Sequence, residues 1–256
     1  MTNLWITYKF ISRIGIVVLI YITMNFQHSY AQVIEKENMH YNGSKYDVLI
    51  LKVDSVVCNR FQVYDNASKL NEFDLFNSFS KSVFMINAGS VDTSCNLLGL
   101  YVNSGVKIND INTSNSSSGN FYLKPNGFIA FNQQEAVIKN SDDYNAADNY
   151  TTAVQNGPML IVNNTINSKF VETSKNKFQR VGVGIYQYNG SSYLVFAKSL
   201  LPVNFYQFAT LFSEKYKCEN ALCLESGSFC SLKLPSSQKK GDKSKTVCKY
   251  LMFTLK

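Results

Sequence analysis

Strand-length apolar runs constrain the fold of this chain more than any other feature of its sequence. Each run is rich in Val, Ile, Phe and Tyr, which fit the half-buried surface of a sheet. Asn-Gly steps at 126–127 and 189–190 predict two tight hairpins, because such steps supply the positive φ angles that hairpin turns need. The runs are residues 47–53, 83–86, 98–102, 128–131, 181–188 and 192–197.

One helix is predicted after Asn204, a residue type that caps helix N-termini. Phe205, Phe208, Leu211 and Phe212 follow at helical spacing, and we expect them to pack on a sheet as a core stripe. A ligand-stacking platform is the alternative for these aromatic residues. The chain is long enough for one large domain. We therefore expect an α+β fold, mainly antiparallel sheet with a few packed helices, in a single domain.

The N-terminus has the order of a secretory signal peptide. Lys9 and Arg13 precede the apolar run 14–22, and Ala31 ends a stretch of cleavage-site character. The run is shorter than the ~20 residues that span a bilayer, so an uncleaved anchor is the less favoured alternative. We expect a signal peptide over 1–31 and one domain over 32–256. The protein is then secreted or periplasmic, with no stable membrane anchor after cleavage.

Charge and histidine content narrow the chemistry. The formal net charge of +7 falls to +5 without Lys9 and Arg13, and this excess mildly favours anionic ligands such as phosphate-bearing glycans, although it could serve solubility alone. No nucleic-acid motif is recognisable. Of the two histidines, His28 lies in the predicted signal peptide and His40 near the mature N-terminus. Serine–histidine, cysteine–histidine and two-histidine zinc chemistries are therefore not expected. We expect no cofactor and no metal ligand set, with catalysis left to carboxylate, Arg, Lys, Tyr or backbone groups.

Six cysteines lie in the part predicted to be exported, where disulfides can form. We expect at least one disulfide, involving the four cysteines between 218 and 248, because short separations keep the entropy of loop closure low. The sequence does not select a pairing. The alternative for Cys223, inside an apolar run, is a buried thiol that packs as a small apolar group.

Four segments end a strand-like run in small or polar residues, which is where an open site can form. Glycine in such turns lets backbone amides approach a ligand closely. Ordinary strand-end turns have the same composition, so the order of the segments carries more weight than any one of them. The segments are residues 84–89, 153–160, 180–184 and 220–228.

In this order the segments resemble the phosphodiester glycosidase family, which includes the uncovering enzyme that removes N-acetylglucosamine from mannose 6-phosphate. The resemblance covers about residues 80–235, most of the predicted mature chain. The matching elements are Ile86-Asn-Ala-Gly89, Gly99-Leu-Tyr101, Asn120-Phe-Tyr-Leu with Asn126-Gly127, Gln155-Asn-Gly-Pro-Met-Leu160, Arg180-Val-Gly-Val-Gly184, and the helix leading into Cys218-Glu-Asn-Ala-Leu-Cys-Leu-Glu225.

The resemblance implies that Asn87, Arg180 and Glu225 are catalytic and face one pocket. Arg180 would bind the phosphate through its planar guanidinium, with a structural ion pair as the alternative. Glu225 would position water, stabilise a positively charged sugar-like transition state, or orient Arg180. The expected substrate-binding residues are Gly89, Gln155, Gly157, Ser226, Gly227 and Ser228.

The last motif departs from the family pattern. The family typically carries Leu-Asp-Gly-Gly where this chain reads Leu224-Glu-Ser-Gly227. The carboxylate is therefore one methylene further from the backbone, and Ser226 adds a Cβ. The first functional hypothesis is a secreted hydrolase of sugar-1-phosphodiester bonds in exopolysaccharide, wall polymer or glycan. The alternative is a catalytically impaired family member that binds carbohydrate or phosphate.

Overall fold

Three antiparallel sheets make up most of the computed structural model, which describes residues 33–79, 83–115, 118–237 and 241–255. The seven-stranded sheet has the order β1-β2-β13-β12-β14-β10-β11, the four-stranded sheet β15-β4-β16-β3, and the five-stranded sheet β6-β5-β9-β7-β8. The strands are β1 Val33–Tyr41, β2 Ser44–Lys52, β3 Phe61–Asp65, β4 Val83–Asn87, β5 Tyr101–Asn103, β6 Val106–Asn109, β7 Gly127–Phe131, β8 Ala136–Asn140, β9 Thr152–Asn156, β10 Met159–Val162, β11 Thr165–Ile166, β12 Arg180–Tyr188, β13 Ser191–Ser199, β14 Asn220–Ser226, β15 Leu232–Lys233 and β16 Lys249–Thr254.

Helices are few and short in the described residues, so the fold is mostly β rather than α+β. The predicted antiparallel sheet is confirmed, and each of the six predicted runs contains a strand, although 98–102 does so only at its end. The helices are α1 Ser55–Cys58, α2 Glu72–Ser78, α3 Phe205–Thr210, the π-helix Leu211–Lys215, and the 3₁₀ helices Asn120–Tyr122, Ser141–Asp143 and Ala146–Asp148.

The two predicted hairpins have different outcomes. Asn189 and Gly190 both have positive φ, 47° and 70°, and they connect β12 to β13 as predicted. The hairpin predicted at 125–127 is wrong, because β7 starts at Gly127 and turns back to β8 only after Phe131. Close packing explains the glycine there, since a Cβ on Gly127 would lie 2.6 Å from the carbonyl oxygen of Lys139.

The helix α3 packs on one face of the seven-stranded sheet as predicted. Asn204 and Gln207 form a reciprocal capping box, which satisfies free N–H groups of the first turn. Phe208 is fully buried, so the core-stripe interpretation is confirmed for it. A Cβ on Gly184 would lie 2.6 Å from the sulfur of Cys218, so this glycine of the 180–184 motif allows the chain after α3 to approach the sheet closely.

The opposite face of the seven-stranded sheet shares the main core with the other two sheets. Leu51 and Leu222 of the large sheet belong to the same buried cluster as Phe84 and Ile129 of the smaller sheets. Burying each such side chain stabilises the fold by about 1.5–3 kcal/mol. The core therefore holds β4, β9 and β14 in fixed relative positions, and the candidate site lies where these strands end.

No helix of the described residues is both long and apolar enough to cross a membrane. The predicted signal peptide 1–31 lies outside the described residues. Its boundary with the domain 32–256 stays a prediction.

Candidate active site

A cavity of about 590 Å³ opens at the ends of β4 and β14. Its walls come from the loop that follows β4, from the 3₁₀ helix Asn120–Tyr122, from the end of β14 and from the start of β16. Three of the predicted site residues, Asn87, Gly89 and Glu225, line it. The structure thus brings together the ends of the first and last motifs, which are distant in the sequence.

Glu225 is the half-buried carboxyl group of this cavity. Burial raises the pKa of Glu225 above its ordinary value, while a hydrogen bond from the N–H of Ser226 to Oε1 (2.8 Å) opposes that rise. No ion pair to Glu225 is found within the described part of the chain. A carboxyl group with a raised pKa in a cavity is a candidate for proton transfer.

A β-bulge aims Glu225 into the cavity. Along β14, Leu222 faces the core between the sheets and Cys223 faces α3, as strand alternation requires. The pairing then shifts, so that Gly182 is opposite Cys223 while Val181 is opposite Glu225, and Leu224 has no partner on β12. The extra residue reverses the alternation, which places Glu225 on the cavity side of the sheet.

Asn156 supports this bulge, and the sequence analysis missed it. Its Nδ2 donates to the carbonyl oxygen of Leu224 (2.7 Å), the residue that has no partner on β12. Its Oδ1 accepts from the hydroxyl of Ser90 (3.0 Å) and the N–H of Gly157 (3.1 Å). Asn156 is fully buried, so it joins β9, the loop after β4 and β14. Asn156 lies in the Gln155-Asn-Gly-Pro motif, from which the sequence analysis selected Gln155 and Gly157 but not Asn156.

Arg180 does not line the cavity, contrary to the expectation of a shared pocket. The bulge leaves Arg180 opposite Ser226, and because Val181 of β12 faces the main core, strand alternation puts Arg180 on the helix side of the sheet. Its guanidinium donates to the Ser226 hydroxyl (2.7 Å) and to the carbonyl oxygen of Val203 (3.0 Å), and it lies 3.5 Å from the ring centre of Phe205. The side chain is 1% exposed, and burial lowers the pKa of Arg180. Arg180 takes part in no ion pair among the described residues, and its guanidinium makes its hydrogen bonds within the protein.

Asn87 lines the cavity, but both ends of its amide hold protein backbone. Nδ2 donates to the carbonyl oxygen of Phe229 (3.0 Å), and Oδ1 accepts from the N–H of Ser231 (2.7 Å). Asn87 is 2% exposed. It therefore fixes the loop that follows Glu225 to the end of β4.

Gln155 and Gly157 lie behind the cavity wall and outside its lining. Gln155 accepts from the N–H groups of Leu100 and Asn112 (2.9 and 2.8 Å), and its amide donates to two further oxygens, so its hydrogen-bonding groups are occupied. A Cβ on Gly157 would lie 2.7 Å from the carbonyl oxygen of Phe121. Both residues hold neighbouring loops in place.

The three residues after Glu225 also lie outside the lining of the cavity. The hydroxyl of Ser226 accepts the hydrogen bond from the guanidinium of Arg180. The N–H of Gly227 donates to the carbonyl oxygen of Gln179 (2.8 Å), and this glycine has a positive φ of 102° that favours glycine. Ser228 is exposed. The backbone donors expected here for a ligand are thus partly used within the protein.

The other charged groups of the described lining are Asp92 and Lys249. N–H groups of its own loop, including that of Asn96, lower the pKa of Asp92, so that carboxylate caps a turn. Lys249 is paired with Asp65 at 2.7 Å. Among the described residues, no group of three His, Cys, Asp or Glu side chains could hold a metal ion.

A disulfide closes the rim of the cavity. Cys95 and Cys248 both line it and are bonded, with their Cα atoms 5.6 Å apart. The predicted disulfide and the participation of Cys248 are confirmed, but the partner lies 153 residues away, so sequence separation was the wrong guide to the pairing. Cys223 is a buried thiol, as the alternative held, and burial raises its pKa to about 11.

Comparisons with known proteins agree with the resemblance drawn from the motifs. A protein of Escherichia coli K12 described as "Uncharacterized protein YigE" is 32% identical over 149 residues, which cover 58% of this chain and 57% of that protein. This chain thus matches less than two thirds of that relative's length.

The catalytic domain of zebrafish N-acetylglucosamine-1-phosphodiester alpha-N-acetylglucosaminidase, solved in a form auto-inhibited by its pro-peptide, has the same fold. The TM-score is 0.55 at 13% identity, and the match covers 88% of this chain and 82% of that chain. The family model described as phosphodiester glycosidase matches residues 80–246, which include both motifs that end in the cavity. Since that match covers well over half of the sequence, this chain belongs to the phosphodiester glycosidase family.

Proposed function

We propose that this protein hydrolyses sugars joined through the anomeric carbon to a phosphodiester, with Glu225 as the base. The observation that carries the proposal is a half-buried carboxyl group of raised pKa in the cavity of a phosphodiester glycosidase domain. The zebrafish structural neighbour is named for action on an N-acetylglucosamine-1-phosphodiester, which supports the substrate class. Exopolysaccharide, wall polymer and glycan are the proposed sources of that bond.

One carboxylate is sufficient for this reaction. A water molecule adds to the anomeric carbon and gives its proton to Glu225, and the bond from that carbon to the phosphate oxygen breaks with its electron pair on the oxygen. The phosphate leaves as a stable anion, so the second carboxylic acid of many glycosidases is not required. A raised pKa makes Glu225 a stronger base than an ordinary glutamate.

The deciding experiment presents the purified protein with a panel of sugar-1-phosphodiesters. Release of free sugar by the parent, together with its loss in Glu225→Gln, supports hydrolysis. Binding of the same compounds without release would instead support the binding-module alternative, for which the longer Glu225 side chain and the Cβ of Ser226 are the motivating observations. If the protein neither releases sugar from these compounds nor binds them, both the hydrolase and the binding-module proposals are refuted.

We also propose that the protein is exported and cleaved after Ala31. Strand β1 begins at Val33, so cleavage there would leave the described sheet intact, and the disulfide suits an oxidising compartment. N-terminal sequencing of the exported protein is expected to begin at Gln32. A sequence that begins at Met1 would contradict the proposal.

A further inference from the structure

Phe229 is a large apolar side chain left exposed at the wall of the cavity. It is 56% exposed and lines the same space as Glu225, four residues earlier in the chain. An aromatic ring that faces water at the edge of a cavity gains stability when a ligand covers it. The position of Phe229 is therefore of interest for binding.

The backbone that carries this ring is fixed on both sides. The carbonyl oxygen of Phe229 accepts from Asn87 at 3.0 Å, and the same amide accepts from Ser231 at 2.7 Å. Before the ring, the N–H of Gly227 is bound to Gln179, and the N–H of Cys230 closes the turn onto Gly227 at 3.3 Å. The backbone at Phe229 is thus fixed before any ligand arrives, so a ligand that covers the ring need not order the loop that carries it.

A second aromatic ring lines the cavity from a 3₁₀ helix. Tyr122 ends the 3₁₀ helix Asn120–Tyr122 and is partly exposed. Its ring packs edge-on against Phe121, with centroids 5.0 Å apart. Apolar walls with a few polar groups between them are typical of sites that bind small organic ligands.

We propose that Phe229 is the platform on which the sugar ring of the substrate stacks, beside Glu225. A pyranose presents a face of C–H groups that suits an aromatic surface, whereas a phosphate gains nothing from a ring without donors or charge. Phe229 would thus bind the carbohydrate part and orient its anomeric carbon toward Glu225. The orientation step depends on the function proposed above, but the binding of sugar does not require turnover.

The tryptophan content of the chain allows a direct test. Trp5 is the only tryptophan, so a full chain carrying Trp5→Phe and Phe229→Trp has a single reporter at the platform. Methyl α-glucoside and methyl α-N-acetylglucosaminide serve as sugars without phosphate, and inorganic phosphate serves as the anion alone. We expect at least one sugar to change the emission saturably and phosphate to leave it unchanged.

The matched control is Phe178→Trp in the same Trp5→Phe background. Phe178 is 50% exposed and does not line the cavity, so its reporter should respond to none of the probes. Equal responses at both positions, a response to phosphate alone, or no response to either sugar would overturn the platform.

Kinetics separate this inference from the proposed function. Phe229→Ala should raise the KM for a sugar-1-phosphodiester by about tenfold with a smaller change in kcat, and Phe229→Tyr should restore the parent KM because it keeps the ring. Turnover with an unchanged KM in Phe229→Ala would refute the platform and leave the hydrolase standing. A fluorescence response to sugar without any turnover would support the platform and refute the hydrolase.

Discussion

Glu225 is the residue on which the proposed chemistry depends, and its pKa gives a prediction in two directions. Because its folded-state pKa is raised, deprotonation destabilises the folded protein as the pH rises through that pKa. Glu225→Gln has no charge to bury. Its stability relative to the parent should therefore be lowest below the ordinary pKa of glutamate and increase as the pH passes the raised pKa. Thermal melts of both proteins across this pH range measure the difference.

The activity of the parent protein should rise over the pH range in which its stability falls. A base must be ionised, so the rate of the parent should rise as the pH passes the raised pKa of Glu225. Glu225→Gln should be about 10²–10⁴-fold slower, and its rate should not show this rise with pH. A parent profile that falls through this pH range would show instead that the protonated form is the active one.

Arg180 is predicted to act on stability rather than directly on phosphate. Its guanidinium is buried among a hydroxyl, carbonyl oxygens and an aromatic ring, so Arg180→Ala should lower the free energy of unfolding by about 2–5 kcal/mol, the range for truncating a large buried side chain. Ser226→Gly, which restores the family's glycine, should cost about 1–3 kcal/mol because it leaves one guanidinium donor without its acceptor. Urea denaturation checks both values, and an unchanged midpoint for Arg180→Ala would contradict the burial argument.

The bulge in β14 is the element that makes the site, and Asn156 is predicted to be its positioning residue. In Asn156→Asp a carboxylate oxygen replaces the donor that faces the carbonyl of Leu224, so the bulge should shift and kcat should fall more than KM rises. The pH range over which the rate rises should shift as well, because the surroundings of Glu225 change.

Asn167→Asp is the matched control for this prediction. Asn167 is also buried and also donates to a backbone carbonyl, that of Met159 at 3.0 Å, but this carbonyl belongs to β10 and not to the bulged strand β14. It should lose comparable stability with kcat per folded molecule unchanged. Equal losses of kcat in both variants would show that Asn156 acts only through overall stability.

The disulfide constrains the molecule as a whole, because it joins residues 153 positions apart across the rim of the cavity. Replacing both Cys95 and Cys248 by alanine should lower the free energy of unfolding by about 2–4 kcal/mol, and it should also free the loop after β4 that forms one wall. Melting with and without a reductant provides the control. The parent should lose stability on reduction and the double variant should not, whereas identical responses would mean that the bond contributes nothing.

Local patterns predicted much of the architecture. Apolar runs of β-forming residues marked six regions that contain strands, Asn189-Gly190 marked a true hairpin, and Asn204 marked the start of α3. These features depend on neighbours in the chain, so periodicity and turn chemistry suffice to recognise them. The motif order also indicated the family, and it predicted Asn87, Gly89 and Glu225 as site residues, which line the cavity.

Long-range packing decided the rest. Whether Glu225 or Ser226 faces the cavity depends on one extra residue in the pairing of β14 with β12, and a shift of one residue reverses every side chain that follows. Arg180 lies away from the expected pocket for a different reason: its neighbour Val181 on β12 faces the main core, so strand alternation turns Arg180 to the opposite face. Sequence separation likewise said nothing about Cys95 and Cys248, because the core, and not the loop between them, sets their distance. The sequence by itself therefore predicted strands, a hairpin turn and the family, while the register between distant strands determined which side chains form the site.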